Sequence, residues 1–84
     1  MQQRWRVMVV EDDPVLAIGL QEMLEAIGCD VAARAGSVLS ALRALQGSPL
    51  PQGALLDCNM GGEKVWPVAD ALSSHSIPFI FSTG

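Results

Sequence analysis

The sequence predicts a single α/β domain built on a doubly wound parallel sheet, and three observations point to it. Short apolar runs alternate with segments of helical periodicity in the order β-α-β-α-β-α-β. Two of the apolar runs end in acids and a third in a hydroxyl pair, so polar chemistry gathers where the strands stop. Half of the 84 residues are apolar, enough for one small core and too many for a disordered chain.

Arg6-Val7-Met8-Val9-Val10 is a β-branched run that stops at Glu11-Asp12-Asp13, the pattern of a strand buried on both faces. Asp13-Pro14 then predicts a helix start, with Asp13 as N-cap and Pro14 at the first helical position. Leu16, Leu20, Met23, Leu24 and Ile27 follow at helical spacing as one apolar face, and Gly28 stands where a left-handed cap ends a helix. A short strand is expected over Asp30–Ala33. Ser37 caps a second helix with Val38, Leu42 and Leu45 on its inner face, closed by Gly47-Ser48-Pro49. Gly53–Leu56 runs as a buried strand into Asp57. After a Gly61-Gly62 turn, Val65, Ala69 and Leu72 mark a third helix, with Pro67 tolerable only near its start. Ile77–Phe81 is the last apolar strand, leading into Ser82-Thr83-Gly84.

Helices between successive strands require parallel pairing, right-handed crossovers and helices on both faces; the predicted strand order is 2-1-3-4. In such sheets the ligand site lies beyond the carboxyl ends of the strands.

The net charge of −4, with the five basic residues scattered, argues against nucleic-acid binding. No apolar stretch approaches the ~20 residues that span a bilayer, and Val7–Val10 is too short for a signal peptide. Cys29 and Cys58 lack metal-ligand spacing and read as two buried or half-buried thiols, which fits a reducing cytoplasm. His75, after Ser73-Ser74, reads as a surface residue near a helix end. Trp5 and Trp66 read as packing or interface residues, and Met8, Met23 and Met60 as core or loop filler.

The strand ends deliver Glu11-Asp12-Asp13, Asp57 and Thr83 to one rim. Carboxylates held close repel, and a divalent cation between them lowers that cost. An all-oxygen donor set selects magnesium over zinc or copper. A carboxylate beside such an ion is also a nucleophile toward phosphorus. Plainer roles exist for each residue: Asp13 is a helix cap first, Glu11-Asp12 a solvated acidic turn, and Asn59 a turn residue whose backbone alone would matter.

Val9-Val10-Glu11-Asp12-Asp13-Pro14, Leu55-Leu56-Asp57-Cys58-Asn59-Met60 and Ile77-Pro78-Phe79-Ile80-Phe81-Ser82-Thr83-Gly84 together resemble the receiver domains of two-component response regulators. The resemblance spans nearly the whole chain, 1–84, as the N-terminal portion of a receiver, and implies a flavodoxin-like fold. It implies that Asp57 accepts a phosphoryl group and that Glu11, Asp12, Asp57 and the backbone carbonyl of Asn59 bind Mg2+. Thr83 matches the switch hydroxyl. The implied donor is a sensor histidine kinase or phosphotransfer protein of a bacterial phosphorelay, and the chain modifies itself without turning over a metabolite. Gly61-Gly62-Glu63-Lys64 with Trp66–Asp70 resembles a subgroup of stand-alone bacterial receivers. It replaces the proline common after Met60, so a shorter or more flexible loop is expected beside Asp57.

The family's fifth strand, its lysine and its last helix have no counterpart after Gly84, and Lys64 lies near the wrong strand end to replace that lysine. A further strand and its flanking helices need at least another ~30 residues. The expectation is a receiver truncated after the fourth strand, with an open sheet edge that a partner, a homo-oligomer or strand exchange would complete. Two rival functions are a degenerate receiver serving only as an interaction module and a magnesium-dependent phosphohydrolase. The latter usually has a second acid two residues past the nucleophile, where this chain has Asn59.

Overall fold

A computed structural model describes residues 4–82. The elements are β1 (Trp5–Val10), α1 (Pro14–Ala26), β2 (Cys29–Ala35), α2 (Val38–Ala44), β3 (Gly53–Asp57), α3 (Trp66–Ser74) and β4 (Phe79–Ser82). All three strand pairings are parallel and the sheet order is β2-β1-β3-β4, as the alternation predicts.

Local chemistry sets most boundaries. The Asp13 carboxylate accepts from the backbone N–H groups of Val15 (2.9 Å) and Leu16 (3.3 Å), and Pro14 occupies the first helical position, where its missing N–H costs nothing. Ser37 caps α2 in a reciprocal box with Ser40. Gly28 adopts φ +98° after α1. Pro67 sits in the first turn of α3. His75 is the exposed C-terminal cap of α3.

Alternation divides the strands between two layers. Met8, Val10, Ala54 and Leu56 point to the layer formed by α2 and α3, where they join Ala41, Leu45, Val65, Val68 and Leu72 in the main core. Val9 and Leu55 point to the α1 side and are also buried, so β1 and β3 are covered on both faces where they matter most.

Four expectations are corrected. β2 runs on to Ala35, because Val10 pairs with Ala35 and the Glu11 N–H donates to the Ala35 carbonyl at 3.0 Å. β4 begins at Phe79, since the Ile77 N–H is taken by the Leu72 carbonyl at the end of α3. The apolar face of α1 is only partly covered: Leu20 and Leu24 are half-buried, while Leu16, Met23 and Ile27 stay exposed, so Met23 is not core. Cys58 is exposed beyond the end of β3, and Cys29 is half-buried; both are free thiols.

The edge of β4 is open among the described residues. Ile80 projects to the α1 side, where no helix lies over it, and is 67% exposed. It borders an apolar groove of about 220 Å³ that Leu24, Leu55 and Pro78 also line. Trp66 and Phe81 are exposed too and stack edge to face at 5.7 Å. Among the described residues no helix is long and apolar enough to cross a membrane.

Candidate functional site

The parallel sheet places the carboxyl ends of β1 and β3 side by side, with Val10 paired to Leu56. The residues just past those ends therefore meet. Glu11, Asp12 and Asp57 each offer a carboxylate oxygen, and these oxygens lie within 4.8 Å of one another. They line a pocket of about 290 Å³ with Asp13, Leu16, Asn59 and Gly61. Among the described residues, none that lines it carries a positive charge, and Lys64 is not among them.

The three acids sit in different surroundings. Glu11 is buried, 7% exposed, while Asp57 is half-buried and Asp12 exposed. Burial pushes the Glu11 carboxyl up to about 7. The Asp13 N–H, which donates to Glu11 Oε2 at 3.1 Å, opposes that rise, and the neighbouring Asp57 and Asp12 carboxylates add to it. An all-carboxylate cluster of this size suits a hard divalent cation, because positive charge between the acids removes their repulsion and oxygen is its preferred donor.

Asp57 is oriented by its own loop. The Asn59 N–H donates to Asp57 Oδ1 at 3.0 Å, a local side-chain-to-backbone turn that fixes one carboxylate oxygen. The family resemblance implies a metal contact through the Asn59 carbonyl; its amide has this second, orienting role. That role was foreseeable from the tendency of Asp to bond the backbone two residues on.

The loop after β3 contains a closed turn. The Glu63 N–H donates to the Met60 carbonyl at 3.0 Å, and Gly61 and Gly62 both have positive φ (+60° and +94°), the signature of a tight type I′ turn. Met60 is buried and anchors the turn to the core. Thr83, the expected switch hydroxyl, lies outside the described residues; its neighbour Ser82 pairs with Asp57 at the end of β4. The structure thus brings Glu11, Asp12, Asp57 and Asn59 together.

Comparison with known proteins gives the rim its context. No family model matches the sequence, and no curated protein matches it. Solved structures do match. SdrG from Sphingomonas melonis Fr1 superposes with a TM-score of 0.84 at 36% identity, covering 100% of this chain and 71% of that one. The response regulator PhyR from Brucella abortus gives 0.83 at 28% identity, covering 95% of this chain and 33% of PhyR. PhyR from Bartonella quintana, described as an anti-anti-sigma factor, gives 0.79 at 26% identity, over 96% of this chain and 34% of that protein. The chain therefore spans about a third of the PhyR proteins it matches. The sheet order, the carboxylate rim and the 36% identity to SdrG over the whole of this chain agree: the chain belongs to the receiver-domain family of response regulators.

Proposed function

We propose that the chain is a phosphoryl-accepting signalling receiver, modified on Asp57 in a magnesium-dependent reaction. The observation that carries this reading is the convergence of Glu11, Asp12 and Asp57 within 4.8 Å at the carboxyl rim of a parallel sheet. The carboxylates of Glu11, Asp12 and Asp57 and the backbone carbonyl of Asn59 would hold the cation. When bound, magnesium supplies positive charge beside the transferring phosphoryl oxygens.

The residues of the chain do the rest. The Asn59 amide holds Asp57 Oδ1, so the other carboxylate oxygen is the nucleophile. It forms an O–P bond while the N–P bond of a phosphohistidine donor breaks. The electron pair of that bond leaves with the imidazole nitrogen, which is protonated, and the product is an aspartyl phosphate. Thr83, which follows Ser82 in the sequence, is the hydroxyl we assign to sensing the phosphoryl group. The donor class is a sensor histidine kinase or phosphotransfer protein, in a bacterial cytoplasm. By likeness to the PhyR proteins, the output is a change in a protein–protein contact.

The test is transfer from a phosphohistidine-bearing protein to the chain with magnesium present. One phosphoryl group per chain, without continuing release of phosphate, is the expected result. Sustained phosphate release would favour a phosphohydrolase, and no transfer at all would favour a module that acts by binding only.

A further inference from the structure

We infer that Gly61 is a positioning residue for the metal site, kept without a side chain so that the Asp12 carboxylate can stand among its partners. The inference rests on the reading of the rim as a magnesium site, and concerns how the loop after β3 serves a carboxylate delivered by β1.

A Cβ built on Gly61 would lie 2.8 Å from Asp12 Oδ2 and 3.9 Å from its Cγ. The first distance is well inside van der Waals contact, so a Cβ carried at position 61 on this positive-φ backbone must displace the Asp12 carboxylate. Asp12 is exposed and a short side chain, so it can swing away cheaply. Relief of the clash therefore costs little stability. What it removes is the placement of one of three oxygens that lie within 4.8 Å of one another. A hard cation that keeps most of its water depends on each of its few protein ligands standing in place.

Backbone strain is a separate effect, and the chain carries its own control. Gly61 and Gly62 both have positive φ, where an L side chain is strained. Around Gly62, however, a Cβ would meet nothing within 4 Å. Alanine at Gly62 imposes strain alone; alanine at Gly61 imposes strain and the collision with Asp12. Gly62, at φ +94°, lies farther from the left-handed well than Gly61 at +60°, so alanine at 62 should cost at least as much stability while sparing metal binding. Glycine at 61 accordingly has two causes, the turn and the carboxylate, whereas glycine at 62 has only the turn.

The experiment is a Mg2+ titration of the wild-type chain and of Gly61→Ala, Gly62→Ala and Gly61→Asn, followed by 1H–15N amide shifts at Asp12, Asp57 and Asn59. Thermal melting without metal is measured beside it. Asparagine tolerates positive φ, so Gly61→Asn keeps the turn while carrying the same Cβ. We expect both alanine variants to melt lower, Gly62→Ala at least as much as Gly61→Ala. Both Gly61 variants should bind Mg2+ about tenfold or more weakly, while Gly62→Ala stays within about threefold of wild type. Wild-type affinity in Gly61→Asn, or an equal loss in Gly62→Ala, overturns the positioning role and leaves the metal site standing. Absence of Mg2+-dependent shifts in the wild type overturns the metal reading itself, and the role of Gly61 with it.

Discussion

Glu11 is the residue whose surroundings set the pH behaviour of the rim. Its carboxyl is raised from 4.5 to about 7, chiefly by burial, so the folded chain holds a proton that the unfolded chain has lost. The stability that goes with that proton is complete below about 4.5 and is lost as pH rises through about 7. Urea unfolding of the metal-free chain between pH 5 and 8 should show this fall, and Glu11→Gln should flatten it; an unchanged slope in the variant would place its origin elsewhere. On the proposed reading magnesium would displace the same proton, so its stabilising effect should grow over the same interval. At this scale much was legible. Glu11, Asp12 and Asp57 stand out because acids directly follow apolar strands, and Asp13 and Ser37 because capping is local. The contact of Gly61 with Asp12 was not legible, since it joins residues almost fifty positions apart through the β1–β3 pairing. Nor was the exposure of Cys58, which follows from the chain leaving the sheet just after Asp57.

Among the elements, β1 and β3 are covered on both faces, whereas β4 and the flank of α1 are not. Hydrophobic periodicity identified α1 as amphipathic, but periodicity says which face is apolar and nothing about what covers it. Leu16, Met23 and Ile27 lie at helical spacing and remain exposed, and Ile80 projects from β4 beside an apolar groove. An exposed apolar strand edge is a template for further pairing. The 84-residue polypeptide should accordingly self-associate at high concentration. Ile80→Lys should shift sedimentation toward monomer without lowering the melting temperature, because the side chain it replaces is 67% exposed. Association that persists unchanged in Ile80→Lys would locate the contact on another surface, such as the exposed stripe of α1.

At the scale of the whole molecule, stability rests on one main core shared by α2, α3 and one face of the sheet. Leu72 is fully buried in that core, and small domains have little reserve. Leu72→Ala should cost about 2–5 kcal/mol, visible as a large drop in the urea midpoint, whereas Leu39→Ala, at an exposed position on α2, should leave the midpoint nearly unchanged. The same core positions the rim. By holding β1 and β3 in register, it presents three acids from two separate parts of the sequence as one rim, beside which Gly61 also lines the pocket. Strand order was legible because alternating strands and helices leave few topologies, and the rim followed from strand order. The exact ends of β2 and β4 were not, because hydrogen bonds from other elements set them. The most direct measurement is intact mass after incubating the wild-type chain and Asp57→Asn with magnesium and a small acyl phosphate. A single phosphoryl adduct in the wild type, absent from Asp57→Asn and absent without magnesium, is the predicted result; an adduct that persists in Asp57→Asn, or none in either chain, would contradict a phosphoryl-accepting site at Asp57.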